Sequence, residues 1–354
     1  MTGEETRADL DQPHRTGGPT EPLRPPGSVA TLPCAAADAV DTAQGTAALV
    51  PGAADRVPGA APRATSPLLG PDCWFLAGPT ASGKSALGLL LAESLGAEIV
   101  SVDSMAVYRG LDVGTAKPTA ADRARVPHHL LDVVAADEPY SVARWLADAA
   151  DAVRACRSRG RRVLFVGGTP LYLRALRDGL AELPAADPVV RRRLASEAAA
   201  VGAPALHARL ALVDPAAAAR IHAHDLKRIA RALEVAETSG RPLSAALRPV
   251  PHPVFASQLL VLDLPRRLLR ERIDSRARAM FSGGIVEETQ ALLAGSGIGP
   301  TARQAAGYAE AIDLIEGRID RDEAIRRTQV RTRQLAKRQL TWLRSFPSAI
   351  WITA

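Results

Sequence analysis

The chain of 354 residues is long enough for one large domain or two ordinary ones, and its 47% of hydrophobic residues can fill a soluble core. No stretch approaches the roughly 18 consecutive apolar residues of a membrane span, and the polar start "MTGEETRADLDQ" has the features of neither a secretory signal nor a transit peptide. The net charge of +6 favours a polyanionic partner. Three widely spaced cysteines, Cys34, Cys73 and Cys156, fit no metal-ligand spacing and suit a reducing cytoplasm.

Residues 1–70 are dominated by Ala, Pro, Gly and Thr and show no sustained helical or alternating apolar pattern. Burial in such a segment could hardly offset the entropy lost on ordering it. We expect a disordered extension without a function of its own.

An apolar run, "CWFLAG", leads into the glycine-rich stretch "GPTASGKS" at residues 78–85 and then into an apolar helical pattern that ends at Gly96. This order predicts a buried strand, a loop and a helix. The loop matches the complete P-loop pattern, in which backbone N–H groups face phosphates, Lys84 adds positive charge and the Ser85 hydroxyl can hold Mg²⁺. A phosphate site is therefore predicted, and a nucleoside triphosphate is its most obvious ligand.

The next predicted strand, "AEIVSVDS", ends in Asp103 and Ser104. An aspartate at that strand end has three possible roles: a metal ligand, a base or a helix cap. The pair His128 and His129 follows in "VPHHLLDV", but neighbouring side chains on a strand or helix cannot easily share one metal ion. We expect these histidines to make structural hydrogen bonds.

The segment "RRVLFVGGTPLYLRALRDGL" repeats the scheme of strand, glycine turn and helix, with Pro170 suited to the first helical turn. Thr169 before it can either donate to a phosphate or cap the helix. Strands that alternate with helices predict an α/β fold, with a parallel sheet covered on both faces.

From residue 184 to residue 250 the segments are helical and rich in Ala and Arg, which predicts a helical insertion before the strand "QLLVLDLP". Residues 324–344 contain no acid, and a run of one sign favours contact with a phosphate backbone. Trp342 at the end of that run can stack on a base or pack in the core. The basic residues of the run are Arg326, Arg327, Arg331, Arg333, Lys337, Arg338 and Arg344.

Taken together, these segments resemble the tRNA dimethylallyltransferases, also called tRNA isopentenyltransferases, in order and spacing from about residue 74 to residue 350. The chain ends at Ala354 without the zinc-finger extension that eukaryotic members often carry, so the bacterial type is the closer match. The matching segments are "GPTASGKS", "DSMAVYRGLDVGTAKP", "PHHLLDV", "VGGTPLYLRAL", "RIHAHDLKRIARALEV", "RAMFSGGIVEE", "GYAEAIDLIEG" and "TRQLAKRQLTWLR".

The resemblance implies a P-loop NTPase-like parallel sheet covered by helices, with a helical insertion domain. The expected divisions are the extension 1–70, a first core part 71–183, the insertion 184–250 that contacts tRNA, and a return to the core with a basic helical part at 251–354. It also implies that the P-loop holds the diphosphate of dimethylallyl diphosphate with Mg²⁺. The prenyl group then passes to N6 of the adenosine immediately 3′ to the anticodon of tRNA, and we expect a cytoplasmic monomer.

The resemblance assigns Asp103 as the general base and places Thr169 and Arg231 around the diphosphate and the reaction centre. Ala106, Lys227 and Ala309 depart from the residues that are common in the family at these places. The diphosphate loop would comprise Gly78, Pro79, Thr80, Ala81, Ser82, Gly83, Lys84 and Ser85, with Ser85 also at the metal. The implied tRNA contacts are Asp103, Ser104, Met105, Ala106, Thr169, Arg191, Lys227, Arg228, Ile229, Ala230, Arg231, Gln304, Ala305, Ala306, Gly307, Tyr308, Ala309, Lys337, Arg338, Gln339, Leu340, Thr341, Trp342, Leu343 and Arg344.

Three other functions compete with this one. A P-loop kinase would turn over ATP and would need no basic C-terminal helix. A prenyltransferase acting on free adenine nucleotides would need neither that helix nor the insertion. A nucleic-acid-binding protein with a vestigial P-loop would have no use for Lys84, Ser85 and Asp103 together.

Overall fold

A computed structural model describes residues 68–181, 183–246, 258–346 and 348–353. The predicted disordered extension at residues 1–70 therefore falls outside the described residues, except for its last three. Of these, Leu69 is only 2% exposed and belongs to the main hydrophobic core.

The described residues form a six-stranded sheet in the order β3-β2-β4-β1-β5-β6, and every neighbouring pair is parallel. The all-parallel α/β arrangement predicted from the alternating strands and helices is thus confirmed. Its strands are β1 (Cys73–Ala77), β2 (Ala97–Val102), β3 (His128–His129), β4 (Arg162–Gly167), β5 (Leu259–Asp263) and β6 (Ile350–Thr353).

Both faces of the sheet are buried. Successive strand residues point to opposite sides, so one strand contributes side chains to two separate clusters. Phe75 packs in one buried cluster and Leu76 in the other, and Phe165 and Leu164 divide in the same way. The helices are α1 (Lys84–Leu95), α2 (Ala120–Arg125), α3 (Val142–Ser158), α4 (Pro170–Asp178), α5 (Pro188–Val201), α6 (Ala203–Val213), α7 (Pro215–Ala218), α8 (Leu226–Ser239), α9 (Leu243–Ala246), α10 (Arg266–Ser282), α11 (Ile285–Ala294), α12 (Tyr308–Ile315) and α13 (Arg321–Leu343), with a 3₁₀ turn at Ala302–Gln304.

Local sequence explains several helix ends. Gly96 adopts φ 61° after α1, a left-handed conformation that glycine tolerates best, so its predicted place as the helix C-cap is confirmed. The side chain of Ser141 accepts the N–H of Arg144 at the start of α3. Pro170 occupies the first turn of α4, as expected for a residue that has no N–H to donate.

Helices α5 to α9 fall within the segment expected to be an insertion, and they have a hydrophobic cluster of their own built around Leu194, Leu210 and Leu233. Glu234, which is fully buried, ties this group together because its carboxylate accepts the N–H of Asp187 at the start of α5. Residues 247–257, which close the segment, lie outside the described residues.

The C-terminal helix α13 runs along α10, and Arg333 of α13 binds Asp274 of α10 at 2.8 Å. Leu340 of α13 packs with Leu269 of α10 and with Ala81 of the P-loop. The last helix therefore reaches the glycine-rich loop that follows β1. Among the described residues, no helix is both long enough and apolar enough to cross a membrane.

Candidate active site

The P-loop presents free backbone N–H groups at the start of α1. Gly83 has φ 94° and precedes the first helical residue, so the chain turns sharply into the helix. Within the described part of the chain, the N–H groups of Gly83, Lys84 and Ser85 have no protein acceptor. Free N–H groups at the positive end of a 12-residue helix form a seat for an anion.

Lys84 lies beside this seat, with Nζ 3.4 Å from the carbonyl oxygen of Pro79. Burial lowers the pKa of Lys84 to about 8; the Asp103 carboxylate opposes this shift, whereas Arg276 adds to it. A bound phosphate would place negative charge beside the ammonium of Lys84 and so stabilise its protonated form.

Two arginines of α10 face the same loop, although sequence reasoning did not single them out. Arg272 donates to the carbonyl oxygen of Ser82 at 3.2 Å, and Arg276 donates to Oγ1 of Thr80 at 3.5 Å and to the carbonyl oxygen of Gly114 at 3.4 Å. Burial lowers the pKa of Arg276, and among the described residues its buried Nε finds no acceptor. Their spacing of four residues places both on one helical face, but nothing local indicates that this face meets the P-loop.

Asp103 and Thr169 lie at the carboxyl ends of the neighbouring strands β2 and β4, where parallel sheets bind ligands. Oδ1 of Asp103 accepts the N–H of Met105 at 2.8 Å. In the described structure, the second carboxylate oxygen has no protein donor, so it is available to a ligand. Thr169 precedes α4, but its side chain makes no capping bond there; instead, Oγ1 accepts the N–H of Ser104 at 3.0 Å and links the two strand ends.

These groups line one pocket of about 940 Å³. Lys84, Ser85 and Arg276 provide its cationic and hydroxyl end. Apolar side chains form other parts of the wall, namely Leu89, Ile99, Val166, Met105 and Met280. Such a pocket suits a ligand with a phosphate head and an apolar tail.

Ser85 is the predicted metal ligand, and its hydroxyl is exposed in the pocket next to the phosphate seat. Mg²⁺ prefers oxygen ligands and commonly combines one or two protein groups with substrate phosphates and water. The Ser85 hydroxyl is a ligand of this type, and the oxygens of a bound diphosphate and water would complete the coordination, so the residues present fit the ion.

A second cluster, Glu98, His129 and Cys156, brings potential ligand atoms within 4.8 Å of one another. Both oxygens of Glu98 already accept from Arg159, and Nε2 of His129 lies 2.6 Å from Oε2 of Glu98. Burial and the neighbouring carboxylate raise the pKa of the Cys156 thiol to about 12, which keeps it protonated. His128 bonds separately to the carbonyl oxygen of Val126, so the predicted structural hydrogen bonds of the two histidines are confirmed.

Arg231 and Arg191, both predicted at the functional site, do not line the pocket. Each binds the buried carboxylate of Glu234 in the insertion, at 2.7 Å and 2.9 Å, and Arg231 also donates to the carbonyl oxygen of Pro184. Their predicted contacts with diphosphate or tRNA therefore stay predictions.

The residues implied as tRNA contacts divide by exposure. Several lie around the pocket itself: Asp103, Ser104, Met105, Ala106, Thr169, Gln304, Ala305, Ala306, Arg338 and Gln339. A second group is exposed and lies away from the pocket: Arg191, Lys227, Arg228, Lys337, Thr341 and Arg344. A third group is buried in the protein: Ile229, Gly307, Tyr308, Leu340 and Leu343. The aliphatic side chains of Ile229, Leu340 and Leu343 are packed in the interior and are not available to tRNA.

The acid-free run at residues 324–344 is partly neutralised by acids from outside it. Glu323 pairs with Arg326 and Arg327, Glu310 with Arg331, and Asp274 with Arg333. In the described structure, the three basic side chains of the run that have no acidic partner are Lys337, Arg338 and Arg344. Trp342 is half-buried with Arg174 above its ring, 5.9 Å from the centroid.

Comparison with known proteins agrees with this geometry. The family model described as IPP transferase matches residues 106–346, and the one described as isopentenyl transferase matches residues 71–132. The tRNA dimethylallyltransferase of Anaeromyxobacter dehalogenans is 53% identical over 281 residues, covering 78% of this chain and 93% of the relative. That of Thiobacillus denitrificans is 49% identical over 284 residues, covering 79% and 91%.

Solved structures show the same likeness. The full-length tRNA isopentenylpyrophosphate transferase of Bacillus halodurans is 36% identical with a TM-score of 0.57, covering 79% of this chain and 89% of that one. A eukaryotic dimethylallyltransferase acting on tRNA is 25% identical with a TM-score of 0.66, covering 79% and 73%. The chain therefore belongs to the IPP transferase family of prenyl-transferring enzymes.

Proposed function

We propose that this protein transfers a dimethylallyl group from dimethylallyl diphosphate to N6 of the adenosine immediately 3′ to the anticodon of tRNA, and releases diphosphate. One observation carries the proposal. A single pocket joins a P-loop anion seat, an apolar wall and the carboxylate of Asp103. A phosphate head, a short hydrocarbon chain and an amine that must lose a proton need these three features.

At the anionic end, diphosphate becomes a good leaving group only if its developing charge is neutralised. The free N–H groups of the P-loop, the ammonium of Lys84 and the guanidinium of Arg276 face the seat. Ser85 would hold Mg²⁺, which supplies further positive charge to the diphosphate when bound. Arg231 remains a predicted partner of the diphosphate, although here it binds Glu234 and does not line the pocket.

At the other end, the exocyclic amine of adenine is a weak nucleophile. As the N6–C1 bond forms, the C1–O bond to diphosphate breaks, and the N6 proton passes to the free oxygen of Asp103. The Met105 N–H holds the other oxygen, so the carboxylate keeps one orientation. Thr169 fixes the Ser104 backbone next to it.

The adenosine must leave its stack to enter such a pocket, at a cost of a few kcal/mol. Arg338 lines the pocket, and Lys337 of α13 and Arg344, which follows the helix directly, are exposed. We propose that they bind the tRNA backbone and that the insertion, with its exposed Lys227 and Arg228, forms the second wall of the tRNA channel. A tRNA held in this way would exclude water from the allylic carbon. Because residues of one chain line the pocket, we propose a monomer. We also propose that it works in the cytoplasm.

The test combines purified protein, Mg²⁺, unmodified tRNA and radiolabelled dimethylallyl diphosphate. Parallel reactions contain labelled ATP, or AMP in place of tRNA. Label that enters the nucleoside 3′ to the anticodon, with ATP intact and AMP unlabelled, is the expected result. ATP turnover without prenylation would favour a kinase, and prenylated AMP would favour an enzyme of free nucleotides.

A further inference from the structure

Gln339 is a buried residue of α13 that connects two loops of the active site. Its Oε1 accepts the N–H of Thr80 in the P-loop at 2.9 Å, and its Nε2 donates to the carbonyl oxygen of Gly168 at 2.8 Å. Only 7% of the residue is exposed. The orientation of the amide is determined, because Thr80 can only donate at this point and Gly168 can only accept.

This contact removes one donor from the phosphate seat. The N–H of Thr80 is used by Gln339, and that of Ser82 bonds to the carbonyl oxygen of Pro79 at 3.2 Å. Between these two positions the N–H of Ala81 stays free, and the other free donors in the described structure lie at the N-terminus of α1, from Gly83 onward. Most of the free donors of the loop therefore lie at its helix end.

The packing around Gln339 leaves little room for the amide to move aside. A Cβ atom placed on Gly168 would lie 2.7 Å from Nε2 of Gln339 and 2.7 Å from the carbonyl oxygen of Gly78. Glycine at position 168 thus permits the close approach of α13 to the P-loop. Gln339 also lines the pocket, so its oxygen borders the space that an elongated phosphate chain would enter.

P-loops of nucleoside triphosphatases cradle successive phosphoryl groups with backbone N–H groups and the lysine. Here the N–H of Thr80 is bonded to Oε1 of Gln339 and is not free. A phosphate oxygen that approached this position would meet the Gln339 oxygen, which accepts hydrogen bonds and donates none. We propose that Gln339 is a specificity-determining residue, which limits the P-loop to ligands with two phosphoryl groups and disfavours those with three. The proposal rests on the proposed function, in which the P-loop holds a diphosphate.

The test measures binding of inorganic diphosphate and inorganic tripolyphosphate, each with Mg²⁺, by calorimetry. The wild-type protein should bind diphosphate at least about tenfold more tightly, since a charged group that meets no donor loses a strong hydrogen bond. Gln339→Leu frees the Thr80 N–H and should reduce this preference to about twofold or less. Gln329→Leu is the matched control, because Gln329 lies on the same helix, bonds to the carbonyl oxygen of Asp274 and should leave the preference unchanged.

Equal binding of both anions by the wild-type protein would overturn the proposal. A Gln339→Leu protein that keeps the full preference would also overturn it. If that variant does not fold, Gln339→Asn replaces it, since the shorter amide cannot reach Thr80 and the same loss of preference is expected. The tRNA assay separates the two claims: wild-type protein that discriminates between the anions but does not prenylate tRNA would refute only the proposed function.

Discussion

Tyr308 donates a hydrogen bond of 2.5 Å to Oε1 of Glu288, and together these side chains hold one turn of the active site. Glu288 accepts the N–H groups of Asp112 and Val113, and Oη of Tyr308 accepts that of Gly114 at 3.2 Å. The carbonyl oxygen of Gly114 in turn accepts from Arg276. Tyr308 is fully buried, and burial together with the Glu288 carboxylate raises the pKa of its hydroxyl, which therefore stays a donor.

Because this turn orients Arg276, Glu288→Gln should weaken binding of the prenyl donor more than it slows the chemical step. The neutral amide offers one acceptor oxygen in place of two, which leaves a donor of the turn without a partner. We expect KM for dimethylallyl diphosphate to rise several-fold and the free energy of unfolding to fall by about 1–3 kcal/mol. Steady-state kinetics and urea unfolding measure the two effects.

Glu287→Gln provides the control for this variant, since Glu287 is exposed in the same turn of α11. It removes the same charge but touches none of the 112–114 backbone. An equal rise in KM for both variants would mean that net charge, and not the held turn, determines donor binding.

Lys84 should make donor binding depend on pH. Its pKa in the free protein is lowered by burial to about 8, so the ammonium that attracts diphosphate is lost as the pH rises through that value. The dissociation constant should rise by up to about tenfold per pH unit above pH 8, until the pKa of the complex is reached. Calorimetric titrations of dimethylallyl diphosphate between pH 6.5 and 10 would measure this.

Lys84→Arg is the matched variant for the pH titration, because a guanidinium keeps its charge throughout this range. Any ionisation of the ligand or of other pocket residues would affect both proteins alike. Affinities that fall in parallel for the two proteins would assign the pH dependence to another group.

Asp103→Asn should separate chemistry from binding. Asparagine keeps an oxygen for the Met105 N–H but cannot take the N6 proton, so the rate of prenyl transfer should fall by about 10²–10⁴. Affinity for tRNA should stay within several-fold of wild type. Single-turnover transfer and filter binding measure these quantities, and transfer at near wild-type rate would rule out Asp103 as the base.

The P-loop, Asp103 and Thr169 could be identified from sequence because each follows a strand, and in a parallel sheet the carboxyl ends of strands meet at one edge. The alternation of strands and helices predicted the sheet for the same reason. Arg276 and Gln339 were not recognised as parts of the anion site, since their contacts with Thr80 span 196 and 259 positions. Such contacts depend on how α10 and α13 pack, which local pattern does not specify.

The basic run of residues 324–344 also depends on contacts that its own sequence does not reveal. The run itself contains no acid, but Glu310 and Asp274 approach from other helices and pair with Arg331 and Arg333. A charge run read along one segment therefore overstates the free charge on the folded surface. The unpaired positive charge of the described run lies in its C-terminal half, at Lys337, Arg338 and Arg344, of which Arg338 lines the pocket.

The position of the free charges predicts which part of α13 binds tRNA. Replacing Lys337, Arg338 and Arg344 with Gln should weaken binding and reduce the slope of log affinity against log salt by about 2–3, because each lost phosphate contact removes about 0.7–0.9. The matched control replaces Arg326, Arg327 and Arg331, which are paired with acids, and should change the slope far less. Filter binding of one tRNA over a range of salt concentrations gives both slopes. Equal reductions for the two triple variants would mean that tRNA senses the net charge of the helix and not these three side chains.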